Sequence, residues 1–180
     1  MKKVSQNLSL TAMFLSLGII LPMLTGQVPQ IGSMLLPMHI PVFLCAFVCG
    51  YKYSVPMSFI LPLLRSILFS RPNMYPEAIS IAFELAVYAL VTGLIYSKFA
   101  KKNIIAVYIS LILAMILGRI VRILLQMALL GLKGTPFTFS AVFSSVVIVG
   151  LPGIILQLVF VPLVLFIFKR NIKNGELKRN

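Results

Sequence analysis

The chain has 180 residues, 60% of them hydrophobic and 11% charged, with a mean hydropathy of +1.06. A soluble core of this size cannot hide so much apolar surface, so the composition excludes an ordinary soluble domain and indicates an integral membrane protein. Basic residues number 16 against 3 acidic, a formal charge of +13, but they stand in short clusters between apolar runs, where they read as a topology signal rather than as a nucleic-acid footprint.

A hydrocarbon core about 30 Å thick asks for roughly 20 apolar residues per helix, fewer where protein shelters the helix. Six segments approach this: about 8–24, 35–50, 53–70, 77–97, 104–132 and 141–168. The first follows a charged start, MKKVS, as in a signal peptide. It lacks a small-x-small cleavage site and is long enough to span, so it is expected to stay as a first helix. Ser5, Ser9, Ala12 and Ser16 place small side chains on one face of it. Close packing on small residues is a main source of helix contact in lipid, so this stripe packs inside the protein or receives another subunit. Periodicity alone favours the internal contact.

Between the first two spans, TGQVPQIGSML carries no charge and is broken by Gly26, Pro29 and Gly32, consistent with a loop or with a segment folded back over a cavity. His39 opens the second span. Cys45 and Cys49 lie four residues apart within it, too few ligands with His39 for zinc, and are expected to be small buried side chains. The turn at Gly50-Tyr51-Lys52-Tyr53 is so short that the second and third spans form a tight antiparallel pair. After the third, Arg71, Asn73 and Tyr75 in SRPNMYPE suit a rim or lid over a site, or simply a polar loop. Lys133-Gly134-Thr135-Pro136 ends the fifth span, and Pro152-Gly153 is expected to kink the sixth near its middle, with weaker bends at Pro22, Pro56, Pro62 and Pro162.

With both ends cytoplasmic, the inner side collects Lys2, Lys3, Lys52, Lys98, Lys101, Lys102, Lys169, Arg170, Lys173, Lys178 and Arg179, eleven basic residues against two, Arg71 and Lys133, outside. Arg65, Arg119 and Arg122 remain within the spans. At about 1.5 Å of rise per residue, Arg65, Glu84, Arg119, Arg122, Gln126 and His39 all fall in the middle or outer half. Arg119, Arg122 and Gln126 share a helix face. A bare arginine at the bilayer centre costs about 2.5–3.5 kcal/mol on insertion scales, so two on one face need partners. Glu84 is expected to neutralise one and Glu77, near the rim, to offset a second. A buried pair that merely orients helices while the other arginines reach outward is one reading. The other, favoured by depth, convergence and charge imbalance, is an outward-facing site at which an unpaired guanidinium meets an anionic ligand.

The chain resembles the substrate-binding S components of energy-coupling factor transporters, which capture vitamins in bacteria and archaea. The resemblance lies in MLLPMHIPVFLCAFVCGY (34–51), FILPLLRSILFSRPNMYPEAISIAFELAVYALVTGLIY (59–96), AMILGRIVRILLQ (114–126) and LPGIILQLVFVPLV (151–164), and points to the branch in which pantothenate carriers are found. It implies an all-α membrane fold of six helices forming a single domain over residues 1–180. It also implies a transmembrane coupling protein and two cytoplasmic ATPases as partners, and contact with the coupling protein through small residues of the first helix, here Ser9, Ala12 and Ser16.

Independently of the resemblance, no GxxxxGK[ST] phosphate loop occurs, so the chain cannot energise transport with ATP by itself. The expectation is a non-enzymatic subunit in the cell membrane, without cofactor or metal, that binds a small anionic vitamin through His39, Arg65, Asn73, Glu84, Arg119, Arg122 and Gln126. Pantothenate fits best: its carboxylate suits Arg119 or Arg122, and its hydroxyl and amide groups suit Glu84, Gln126 and His39. Cobalamin is the alternative within the branch. A proton-coupled secondary transporter working through Glu84 is the rival from another class, and the inverted repeat that would support it is not visible. An intramembrane enzyme using His39 and Glu84 lacks a nucleophile or metal set, and a purely structural membrane subunit is the remaining alternative.

Overall fold

The computed structural model describes residues 2–24, 36–99, 103–132, 134 and 138–177. The segment 25–35, read as a loop or a fold-back over a cavity, lies outside the described residues. Among the described residues the helices are α1 (Lys2–Leu24), α2 (His39–Cys49), α3 (Tyr51–Phe69), α4 (Ile79–Lys98), α5 (Ile104–Leu132), α6 (Phe139–Phe143) and α7 (Leu151–Leu177). A π-helical turn, Met74–Ala78, leads into α4, and a second, Ser144–Ile148, lies between α6 and α7. Because α6, the second turn and α7 run on as one span, the fold is the six-helix all-α membrane architecture expected.

Among the described residues, four spans are long and apolar enough by themselves to cross a bilayer: Val4–Met23, Met74–Lys98, Ile104–Leu132 and Phe139–Phe168. The 11-residue α2 is too short to do so alone. It is the central helix, packed against α1, α3, α4 and α7, with every residue but Val48 buried. Protein rather than lipid surrounds it, which removes the length requirement. The outer surface of the bundle is apolar, with Ile67, Leu124, Ile155, Val159 and Phe166 strongly exposed, while His39, Arg65, Glu84, Arg119 and Gln157 are buried. That distribution suits a lipid surround and would be costly in water.

A single residue, Gly50, joins α2 to α3. Its φ of 80° lies in the region that only glycine enters at little cost, and its carbonyl accepts the Ser54 N–H at 3.1 Å. The sixth span departs from expectation. The interruption precedes Pro152-Gly153: the helix passes through the π turn and a turn at Val149 and Gly150, and α7 starts at Leu151. A proline clashes with the carbonyl four residues back but is at ease in the first turn of a helix, so the break falls before it.

Ser5, Ser9, Ala12 and Ser16 are all exposed, whereas Phe14, Gly18 and Pro22 form the buried side of α1. The internal contact favoured by periodicity is therefore corrected: the small-residue stripe faces away from the protein. Gly18, not the stripe, is the close-packing position, since a Cβ there would lie 2.6 Å from Leu61 Cδ2. The Ser9 and Ser16 hydroxyls donate to the Ser5 and Ala12 carbonyls of their own helix.

Candidate functional site

Glu84 lies in the second turn of α4 and is fully buried. Its Oε1 accepts the Tyr88 hydroxyl at 2.8 Å and lies 3.3 Å from Arg119 Nη1. Its Oε2 accepts from Arg122 Nη1 at 3.0 Å and lies 3.6 Å from His39 Nε2. Helical spacing makes this possible: Tyr88 stands four residues after Glu84, and Arg119 and Arg122 are three apart on the facing side of α5. His39 comes from the first turn of the buried α2.

The alternative reading, in which Glu84 pairs with one arginine while the others reach outward, is corrected, and so is the expectation that Glu84 neutralises only one. One carboxylate holds both guanidiniums, each side chain at most 12% exposed. The second arginine, expected to be offset by Glu77, is held by Glu84 as well. Counting arginine and glutamate alone, the centre keeps one excess positive charge. It also keeps unfilled hydrogen-bonding capacity: among the described residues, Arg119 Nε and Nη2, Arg122 Nε, Gln126 Oε1 and His39 Nδ1 are buried without a hydrogen-bond partner, and His39 Nε2 approaches Glu84 at 3.6 Å. Buried polar atoms are ordinarily paired, so a cluster of unpaired ones marks a place built for something further.

Arg119 also reaches the sixth span, where its Nη1 donates to the Val146 carbonyl at 2.7 Å. Val146 belongs to the π-helical turn, where the regular backbone ladder is interrupted and a carbonyl is available to a side chain. Tyr88 is positioned by packing, its ring stacked on Phe43 with centroids 5.0 Å apart. On its other side Gly118 leaves the space it needs, because a Cβ there would fall 2.1 Å from Tyr88 Cε1.

The structure thus gathers His39, Glu84, Arg119 and Arg122, with Gln126 half-buried one turn beyond Arg122 on the same helix. It does not bring Arg65 or Asn73 into this cluster. Arg65 is buried on α3 with its guanidinium carbon 6.0 Å from the Phe69 ring centroid. Asn73 is exposed, and its carbonyl accepts the Ala78 N–H at 2.8 Å. Tyr75, two residues on, donates its hydroxyl to the Leu129 carbonyl and so ties the segment before α4 to the end of α5. Tyr88, Gly118 and the Val146 carbonyl were not picked out from sequence. The i, i+4 spacing of Glu84 and Tyr88 was a usable signal for the first, whereas a backbone carbonyl carries none.

Fold and centre together define a multi-pass helical membrane protein with a buried, cation-rich polar site made by several spans. The chain belongs to the family described as ECF transporter, substrate-specific component, whose family model matches residues 6–165. Neither a curated protein nor a solved structure matches the chain. Membership makes it a substrate-binding, non-catalytic subunit of a transport system.

Proposed function

We propose that the chain captures a small anionic vitamin, pantothenate fitting best, at a site open to the outside, and delivers it inward when docked on an ATP-driven module. The observation that supports this is the charge imbalance at Glu84, where one carboxylate serves two buried arginines that keep unfilled N–H donors. A ligand carboxylate neutralises the excess and accepts charge-assisted hydrogen bonds from this pair, which arginine forms in paired geometry. Arg65 and Asn73, outside the cluster, are assigned to the far end of the ligand or to its path from outside.

The eleven-to-two distribution of basic residues supports cytoplasmic termini, which puts the arginine centre in the outer half of the membrane. The partners in this reading are a transmembrane coupling protein and two cytoplasmic ATPases. The exposed stripe of Ser9, Ala12 and Ser16 on α1 supports the docking, since only small side chains allow another helix to approach closely.

The test is a screen of vitamins for thermal stabilisation of the purified subunit. Ligand at 100 times its dissociation constant adds about 2.7 kcal/mol of stability. Stabilisation by pantothenate and not by uncharged vitamins is expected. Stabilisation by cobalamin alone, or by no carboxylate compound, overturns the ligand reading.

A further inference from the structure

We infer that Glu84 divides the centre into a fixed half and an exchangeable half, so that Arg119 is a positioning residue while Arg122, His39 and Gln126 are the groups that meet the ligand. This rests on the anionic-ligand reading above.

The two oxygens of Glu84 have different company. Oε1 faces Tyr88 and Arg119, and both are held by other parts of the fold. Tyr88 is wedged between Phe43 and Gly118. Arg119 Nη1 is shared between Oε1 and the Val146 carbonyl, and Gly150 packs closely beside Nη2, since a Cβ there would stand 2.9 Å from it.

Oε2 faces Arg122 and His39; the His39 ring also packs beside Tyr88, with centroids 5.6 Å apart, whereas Arg122 has no second side-chain hydrogen bond among the described residues. Unpartnered N–H groups occur on both arginines, Arg119 Nε and Nη2 and Arg122 Nε, so what separates them is anchoring and exposure: only Arg119 is tied to the Val146 carbonyl, and Arg122 is the more exposed of the two, at 12% against 8% for the side chains. Gln126 lies four residues further along α5, about 6 Å by helical rise, with its Oε1 also unpartnered. A carboxylate can therefore be received by Arg122 while Glu84 keeps its place on Nη1. A hydroxyl or amide N–H on the same molecule then falls to Gln126. The ligand class this selects is a small carboxylate with a hydrogen-bond donor roughly 6 Å from the acid group, set by the rise between the two residues.

The experiment compares pantothenate with pantothenyl alcohol, in which CH2OH replaces the carboxylate, by titration calorimetry on the purified full chain and its Arg119→Gln, Arg119→Lys and Arg122→Gln variants. The wild type is expected to prefer the acid by at least about tenfold, as a lost charge-assisted contact implies. Arg122→Gln should bring the acid-to-alcohol ratio close to one. Arg119→Gln should weaken both compounds by the same factor and lower the melting temperature while keeping the ratio. Arg119→Lys, which retains a donor for Glu84 and Val146, should recover part of the affinity, and it decides the matter if the glutamine variant does not fold. A ratio that collapses in an Arg119 variant, or survives in Arg122→Gln, overturns the division of roles. A wild type that binds both compounds equally, or neither, overturns the anionic-ligand reading itself and the division with it.

Discussion

Tyr88 on α4 and Gly118 on α5 compete for one space: the Tyr88 ring fills the volume that any side chain at position 118 would need, to within 2.1 Å of a built Cβ. The same tyrosine donates to Glu84 at 2.8 Å, so the closeness of two helix backbones sets the position of the central carboxylate. Gly118→Ala should lower stability by about 1–3 kcal/mol through overpacking, against a helix-propensity gain of about 1 kcal/mol. Ligand affinity should fall with it. Thermal unfolding and titration on one preparation check both, and unchanged affinity in a destabilised variant would remove Tyr88 from the positioning chain.

Glu84→Gln leaves two buried guanidiniums facing a neutral amide. Breaking a buried ion pair from one side costs about 3–5 kcal/mol, because the remaining charge is uncompensated. A large drop in melting temperature is expected, partly reversed in the Glu84→Gln, Arg122→Gln double variant. Additive losses in the double variant would mean that charge balance is not what Glu84 supplies.

Uptake by the assembled transporter should continue when the proton gradient is collapsed with ATP held constant, since the chain has no phosphate loop and the proposed partners provide the energy. Accumulation of labelled pantothenate in vesicles loaded with ATP measures this. An immediate stop would favour proton coupling through Glu84.

Ala12 stands between Ser9 and Ser16 on the exposed stripe. Tryptophan there would hold an incoming helix several ångströms off and forfeit many contacts of about 0.1–0.2 kcal/mol each. Ala12→Trp should abolish co-purification with the ATPase module and stop uptake, while the isolated subunit keeps its ligand affinity. Loss of ligand binding with docking retained would assign the stripe to the protein's own packing.

Two buried glycines should respond differently to alanine. At Gly93 the new Cβ would meet Tyr51 backbone at 2.7 Å, at the start of α3, where nothing can move without shifting the helix. At Gly18 it meets the end of the Leu61 side chain at 2.6 Å, which can change rotamer. Gly93→Ala should therefore be the more destabilising, by about 1 kcal/mol or more on the scale of overpacking. Equal melting temperatures would show that the α3–α4 contact yields as easily as a leucine.

Membrane character, six apolar segments close to the helices found, and the shared face of Arg119, Arg122 and Gln126 were all legible in the order of residues. Each of these depends on hydropathy or helical period over a few turns, which are local properties of the chain. It also showed that three intramembrane arginines outnumber the carboxylates near them. Only the tertiary structure decided that Glu84 faces both Arg119 and Arg122, that Arg119 continues to Val146, that Arg65 stays apart beside Phe69, and that the α1 stripe points outward. These depend on how far each helix is rotated about its own axis. In a soluble bundle an apolar stripe fixes that rotation, but helices that are apolar on every side carry no such mark. The rotation is set instead by close contacts such as Gly118 on Tyr88 and Gly18 on Leu61, which exist only once the neighbours are in place.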